Sequence, residues 1–147
     1  MTHPHDIFFR SSLSDLRIAK SFLRQHLPNS IIQCVDLSTL QFAKESFIDE
    51  ELTEKITDIL YSVNIFDKQG YIYILVEHQS KPERLMPFRV WQYKIRIMDY
   101  HITELGNKHL PIVYPIVFYQ GRRPYRYSTD ILSLFDGPAD IAKEVWM

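Results

Sequence analysis

The chain has 147 residues, with 17 lysines and arginines against 18 aspartates and glutamates, and 46% of its residues are apolar. This length and composition predict a single globular domain over residues 1–147 and exclude disordered, collagen-like and solenoid proteins. The single cysteine, Cys34, excludes an internal disulfide and a zinc site of paired cysteines. Because no apolar run approaches the roughly 20 residues that cross a bilayer and the N-terminus lacks the build of a secretory signal, we expect a cytoplasmic protein without a membrane partner.

Charge is unevenly distributed along the chain. Residues 36–67 carry eight acidic and two basic side chains, whereas residues 81–126 carry nine basic and three acidic ones. Either the two segments neutralise each other across a surface, or the acids hold a metal ion while the bases contact a polyanion such as nucleic acid. Charge alone leaves both interpretations open.

The first regular element is an amphipathic helix. From Ser12 to Leu27 apolar residues recur at steps of three and four, and Pro28 ends the pattern. The following stretch is less regular. A short strand or turn is predicted over residues 31–37 and another strand over residues 40–48, and residues 49–55 form an acidic, exposed segment.

A β-hairpin is predicted next. Apolar and polar residues alternate from Ile59 to Ile65, and residues 71–76 are continuously apolar. Between them, the sequence Asp-Lys-Gln-Gly over residues 67–70 has the composition of a turn. The second strand therefore lies in the core.

A long helix is predicted after Pro82 and ends near Gly106. The apolar stripe expected to pack against the sheet consists of Phe88, Trp91, Ile95, Met98, Ile102 and Leu105. The adjoining polar face carries Arg89, Gln92, Arg96 and Asp99. Residues 110–119 then predict a buried strand, and residues 128–147 a short helical or irregular tail. The order of helix, strands, helix and strand indicates a mixed α/β fold.

Two acidic residues lie at the ends of the hairpin strands. If the turn centres on residues 68–69, Leu60 pairs with Glu77, and Asp58 pairs with Gln79. The side chains of Asp58, Glu77 and Gln79 then share one face, with the two acids about 7 Å apart on a diagonal. Two carboxylates at this separation can share Mg²⁺, which prefers oxygen ligands. The alternative is that both acids are solvated strand ends.

A metal ion at this position predicts phosphodiester hydrolysis. The cation would polarise a phosphoryl oxygen and lower the pKa of its bound water, while Gln79 orients the attacking water or contacts the phosphate. On the following helix, the side chains expected to hold flanking phosphates are Arg89, Gln92 and Arg96. In the basic loop, the side chains that either contact nucleic acid or remain solvated are Arg122 and Arg123.

Several short motifs, none of which is specific by itself, together identify a protein family. They are the segments Thr57–Tyr61, Val76–Ser80 and Phe88–Tyr93, the stretch from Leu110-Pro111 to Gln120-Gly121, and the N-terminal His5-Asp6 followed by a helix and Leu27-Pro28. Together they resemble the bacterial Rpn family of recombination-promoting nucleases, also described as YhgA-like transposases. The likeness covers about residues 5–121. Relatives of this family run longer, so residues 122–147 are interpreted as a tail, either of a shortened member or of a nuclease domain cut from a longer protein.

The resemblance implies a PD-(D/E)XK restriction-endonuclease-like core, in which a mixed central sheet is flanked by helices, and an endonuclease that cleaves DNA with Mg²⁺ or Mn²⁺. Its motif implies Asp58, Glu77 and Gln79 as catalytic residues, with Asp58 and Glu77 as metal ligands. Gln79 stands where the superfamily usually has lysine, and an amide can orient water but cannot act as a base. An additional glutamate is expected from Glu45, Glu50 or Glu51.

Other functions stay open at this stage. A noncatalytic module of the same fold would bind DNA, or pair with a related chain and regulate it. DNA is the expected partner in either case, and the regulatory interpretation predicts a homo-oligomer or a hetero-oligomer with a related chain. The transposase label also suggests strand joining, for which no residue of the sequence argues.

Overall fold

The computed structural model describes residues 11–44, 47–49, 56–78, 83–119 and 129–146. Its regular elements, in chain order, are helix α1 (Leu16–His26), the helical turn α2 (Asn29–Ile32), strands β1 (Val35–Lys44), β2 (Ile56–Ile65) and β3 (Lys68–Glu77), helix α3 (Met86–Thr103), strand β4 (Val113–Tyr119), a 3₁₀-helix (Ile131–Leu134) and helix α4 (Ala139–Trp146).

The four strands form one mixed sheet in the order β1-β2-β3-β4. The β1–β2 and β2–β3 pairs are antiparallel, and the β3–β4 pair is parallel. Parallel neighbours need a crossover connection, and α3 supplies it. The mixed central sheet flanked by helices confirms the predicted fold class and is the arrangement expected of a PD-(D/E)XK-like core.

Helices cover both faces of the sheet. Tyr61 packs with Leu23 in the cluster beneath α1, whereas Tyr73 packs with Ile97 in the cluster beneath α3. Strand β3 is buried on both faces from its third residue onward. This explains why its sequence is continuously apolar rather than alternating.

The hairpin turn is not where the sequence predicted it, at residues 68–69. Ile65 pairs with Lys68, so Phe66 and Asp67 form the two-residue turn. Both have left-handed φ angles, 50° and 63°. Two consecutive positive φ angles are the signature of a type I′ turn, whose twist matches that of the strands.

Gly70, which suggested the predicted turn, lies inside β3 instead. A Cβ atom there would come 2.6 Å from Cδ1 of Ile65 and 2.9 Å from the carbonyl oxygen of Ile112. Glycine is therefore required at this position because the side chain of Ile65, at the end of β2, and the backbone of Ile112, just before β4, leave no room for a Cβ atom.

The change of turn shifts the β2–β3 register by four residues. Asp58 pairs with Leu75 rather than with Gln79, and Glu77 pairs with Ile56. Because side chains alternate with period two, an even shift keeps each residue on its face. Asp58 and Glu77 consequently remain diagonal neighbours on one face of the sheet.

Helix α3 turns a different stripe towards the sheet from the one predicted. Its buried residues are Met86, Pro87, Val90, Tyr93, Ile97 and His101. From the predicted stripe, Phe88, Ile95 and Leu105 are exposed. The true stripe contains a tyrosine and a histidine, which a purely hydrophobic pattern discounts.

Two weaker predictions also change. A short strand or turn was predicted over residues 31–37 and another strand over residues 40–48. The chain instead forms the helical turn α2 followed by one bulged strand, β1. The strand predicted to be buried over residues 110–119 is the half-exposed edge strand β4. Proline has no backbone N–H to donate to a neighbouring strand. Pro115 is tolerated because β4 is an edge strand, which has a neighbour on one side only.

The C-terminal residues pack against α3. The ring of Trp146 lies edge-on to Trp91, with centroids 5.2 Å apart, and 5.9 Å from the ring of Phe135. The segment 129–146 therefore contributes to the α3 side of the molecule. Within the described ranges, none of the helices combines the length and apolar character needed to cross a bilayer.

Candidate active site

Asp58 of β2 and Glu77 at the end of β3 lie on the sheet face that α3 covers, and both are completely buried. Diagonal neighbours in an antiparallel pair are about 7–8 Å apart. Burying a carboxylate costs several kcal/mol unless hydrogen bonds or a cation compensate. Two buried acids on one face are therefore costly for stability and indicate a specialised site.

Neutral donors on Phe47 and Tyr73 orient the Asp58 carboxylate. Its Oδ2 atom accepts hydrogen bonds from the backbone N–H of Phe47, at 2.8 Å, and from the hydroxyl of Tyr73. Burial and the neighbouring Asp58 charge raise the pKa of Tyr73, so the phenol stays protonated and donates. The sequence analysis missed Tyr73. The available signal was a tyrosine in a buried strand, whose hydroxyl needs a partner.

Glu77 is tied to the start of α3. Its Oε1 atom accepts a hydrogen bond from the backbone N–H of Glu83 at 2.6 Å. The Glu83 side chain accepts from the N–H of Leu85 at 3.2 Å and lies 3.7 Å from Nε of Arg89. Arg89, predicted to hold a phosphate, is thus linked to the Glu77 site by an ion pair with Glu83.

Arg96 links α3 to the residues after β1. Its Nη1 atom donates to the carbonyl oxygen of Phe47 at 2.7 Å, and its Nη2 atom lies 3.0 Å from Oδ1 of Asp49. The N–H of Phe47 in turn donates to Asp58. Segment 47–49 is therefore held from both sides. The DNA contact predicted for Arg96 remains a prediction, but both its Nη atoms are engaged with protein groups.

Other buried polar atoms lie on the same flank of α3. The Tyr93 hydroxyl is buried within the electrostatic reach of Arg89, Arg96 and Asp58, and burial raises its pKa. Among the residues that the structure describes, neither this hydroxyl nor Oε1 of Gln92 has a hydrogen-bond partner. Buried polar groups normally have partners, so this flank has capacity for water or ligand atoms.

The remaining predicted site residues fall in two groups. Outside the described residues lie Gln79, Arg122, Arg123, Glu45, Glu50 and Glu51. His78 is described, and its Nε2 atom lies 3.2 Å from Oγ1 of Thr57. Strand alternation places this pair on the face opposite Asp58 and Glu77, so His78 points away from the two acids, as the sequence alternation suggests.

The donor set fits a hard divalent cation. Mg²⁺ is commonly bound through one or two carboxylates, with water and substrate phosphate oxygens completing its ligands. Asp58 and Glu77 offer two carboxylates, and the Phe47 N–H and Tyr73 hydroxyl that donate to Asp58 are both neutral groups. Within the described ranges, no group of three or more His, Cys, Asp or Glu side chains converges. The candidates for a third carboxylate lie outside those ranges.

The chain matches a family model described as "Putative transposase, YhgA-like" over residues 3–147. It is 40% identical over 146 residues to recombination-promoting nuclease RpnC of Escherichia coli (strain K12), which covers 99% of this chain and 48% of that protein. Recombination-promoting nuclease RpnA of the same strain is 42% identical over 136 residues, or 92% of this chain and 46% of that protein.

A third relative carries a different description. The inactive recombination-promoting nuclease-like protein RpnE of Escherichia coli (strain K12) is 37% identical over 144 residues, or 97% of this chain and 48% of that protein. The chain spans about half the length of these three relatives. No solved structure matches it. Because the family model covers nearly every residue, the chain belongs to the YhgA-like transposase family, among whose relatives are the Rpn recombination-promoting nucleases.

Proposed function

We propose that the protein is a metal-dependent DNA endonuclease that hydrolyses phosphodiester bonds and promotes recombination. The observation that carries this proposal is the placement of Asp58 and Glu77, two fully buried acids that are diagonal neighbours on one face of the sheet. The names of RpnA and RpnC support a nuclease. Mg²⁺ is the proposed cofactor, and Mn²⁺ is expected to replace it.

Asp58 and Glu77 are the proposed metal ligands. When bound there, the cation supplies Lewis acidity for the phosphoryl oxygen and a bound water of lowered pKa. The protein contributes orientation, because Phe47 and Tyr73 fix the Asp58 carboxylate while Glu83 fixes Glu77. A carboxylate that is already oriented loses less conformational entropy on binding its ligand.

The proposed DNA contacts lie around this centre. Gln79, two residues after the last residue of β3, is proposed to orient the attacking water through its amide. On α3, the proposed donors to phosphate oxygens are the guanidinium of Arg89, whose Nε also lies 3.7 Å from Oε2 of Glu83, and the side-chain NH₂ group of Gln92. From the sequence alone, Arg122 and Arg123 are proposed as further DNA contacts. Arg96, also predicted as a contact, is instead proposed to position segment 47–49, because its Nη atoms contact Phe47 and Asp49.

Plasmid nicking tests the proposal. Purified wild type should nick supercoiled DNA in Mg²⁺, and Asp58→Asn or Glu77→Gln should reduce the rate more than about 100-fold, since losses at outer-shell groups alone reach 10–100-fold. Asp67→Asn is the matched control, because this acid is exposed in the hairpin turn and asparagine readily adopts its left-handed φ. Equal nicking by wild type and Asp58→Asn contradicts the proposal.

The second candidate is a noncatalytic module of the same fold. One observation favours it, the description of the relative RpnE as inactive at 37% identity. Such a module binds DNA or forms a stable hetero-oligomer with a related chain. Tight binding of either partner, with no cleavage in Mg²⁺ or Mn²⁺, supports this alternative over the endonuclease.

A further inference from the structure

A cavity of about 580 Å³ opens beside Glu77. Three parts of the fold form its walls: α3, the edge strand β4, and the segment that begins at Thr129. Its size is within the range of cavities that hold small organic groups, roughly 300–1,000 Å³. Glu77 belongs both to this cavity and to the face that carries Asp58, so the cavity adjoins the proposed catalytic centre.

The walls of the cavity are mostly apolar. Val90, Pro115 and Val117 contribute aliphatic surface, and Trp91 contributes an aromatic ring. This ring is held in place from the C-terminal side by Trp146, 5.2 Å away between centroids. An apolar cavity whose wall contains the fixed indole ring of Trp91 is better suited to a planar aromatic group than to a strongly hydrated group.

One cation lies at this aromatic wall. Nζ of Lys94 sits 3.9 Å from the centroid of the Trp91 ring, and Lys94 also lines the cavity. The ammonium group covers one face of the indole, so the cavity wall combines aromatic surface with a positive charge. This combination matches a nucleotide, whose base is planar and whose phosphate is anionic.

We propose that this cavity, here named the base cavity, receives an unstacked nucleobase next to the phosphate cut at Asp58 and Glu77. The inference rests on the proposed function and specifies its substrate: nucleic acid with an unpaired base at the cleavage position. In a fully paired duplex the bases are stacked and cannot enter. Extruding one costs least where it is mismatched or already single-stranded. Because every base has a stacking face, discrimination among the four bases should be weak.

The test compares two 40-mer duplexes that differ by one central mismatch. Binding is measured in EDTA, so that no cleavage occurs, and cleavage is measured separately in Mg²⁺. Wild type should prefer the mismatched duplex by about tenfold in both assays, the size expected for stacking one base on an aromatic wall. Val117→Phe, which fills the base cavity from β4, should reduce this ratio to near one.

Two further variants keep the test decisive. Ile112→Phe makes the same kind of change at an exposed residue that does not line the cavity, and the tenfold ratio should persist. Trp91→Leu removes the aromatic wall and should also lower the ratio. It provides a second test of the base cavity if Val117→Phe does not fold.

The outcomes separate the two proposals. Cleavage without any mismatch preference, or a preference that Val117→Phe and Trp91→Leu leave intact, overturns the base cavity while the endonuclease stands. A preference in EDTA that Val117→Phe abolishes, in a protein that never cleaves, supports the base cavity and overturns the hydrolytic function.

Discussion

The Tyr73 hydroxyl donates a hydrogen bond to the Asp58 carboxylate in the buried interface between the sheet and α3. Both side chains are completely shielded from solvent. Since burial raises the pKa of Tyr73, the phenol remains a neutral donor. It therefore orients the acid without cancelling its charge, which is what a ligand for a cation requires.

Replacing Tyr73 by phenylalanine should therefore affect both catalysis and stability. We expect Tyr73→Phe to reduce cleavage in Mg²⁺ by about 10-fold, the lower end of the losses seen when a ligand loses its hydrogen-bonding partner. The free energy of unfolding should fall by about 1–3 kcal/mol, because Asp58 loses a buried donor. Rates on plasmid DNA, Mn²⁺ titration calorimetry and urea denaturation measure these effects.

Tyr61→Phe is the matched control for this substitution. Tyr61 is equally buried, but its hydroxyl donates to the carbonyl oxygen of Leu13, at 2.7 Å, on the α1 side of the sheet. It should lose similar stability and keep the wild-type cleavage rate and Mn²⁺ affinity. If both variants lost cleavage to the same extent under conditions where both are folded, Tyr73 would have no positioning role.

Arg96 is expected to act by positioning Phe47 rather than by contacting phosphate. Its two Nη atoms contact Phe47 and Asp49 at once, a bidentate geometry that lysine cannot reproduce. Both Arg96→Gln and Arg96→Lys should therefore lower cleavage by about 10-fold. The salt dependence of DNA binding, measured by fluorescence anisotropy between low and moderate salt, should stay unchanged for both.

Arg123→Gln provides the comparison for this measurement. Each phosphate contact contributes about 0.9 to the slope of log K against log salt, so loss of a true phosphate contact lowers the slope by about 1. We expect that change for Arg123→Gln. A decrease of the same size for Arg96→Gln would instead assign Arg96 to the DNA interface.

The shared face of Asp58 and Glu77 could be predicted because it depends only on whether an error in the β2–β3 register is an even or an odd number of residues. The predicted turn was wrong, yet the register moved by an even number of residues, and the two acids stayed on the same side. The fold class was also accessible, since the hairpin, the long helix and the final strand each have a clear local pattern. Local patterns thus sufficed for the fold class and for the shared face of the two acids.

Contacts distant in the sequence could not be predicted in the same way. Arg96 and Phe47 are 49 positions apart, and no local pattern connects them. The stripe of α3 was misassigned because a hydrophobic pattern discounts Tyr93 and His101, which face inward, and favours Ile95, which is 57% exposed. The side chains that support the acids are therefore visible only in the fold.

Gly70 should tolerate no side chain. A Cβ atom would come 2.9 Å from the carbonyl oxygen of Ile112, a backbone atom that also accepts a hydrogen bond from Tyr71 at 2.9 Å and cannot move freely. We expect Gly70→Ala to lower the free energy of unfolding by about 1–3 kcal/mol through overpacking. Urea denaturation measures it. Gly106→Asn is the control, since open space surrounds Gly106 and asparagine tolerates its φ of 70°; a larger loss for Gly106→Asn than for Gly70→Ala would contradict the packing argument.

His101 should make the stability of the protein sensitive to mild acid. Its Nδ1 atom lies 2.8 Å from the Tyr71 hydroxyl, and burial raises the pKa of Tyr71 to about 12, so the phenol stays protonated. Burial lowers the pKa of His101 below its ordinary value of 6.5. Below that value the unfolded chain takes up a proton that the folded chain resists, so the free energy of unfolding decreases as the pH falls.

Urea denaturation at about pH 7.5 and about pH 5 measures this dependence on either side of the unfolded-state pKa of histidine. Wild type should lose more stability between the two values than His101→Gln, which keeps a polar side chain but cannot titrate. The same substitution at exposed His109 should leave the wild-type dependence in place. Because the prediction concerns the difference between the two pH values, it holds even if His101→Gln is less stable at both. Equal acid sensitivity of His101→Gln and wild type would mean that protonation of His101 is not coupled to unfolding.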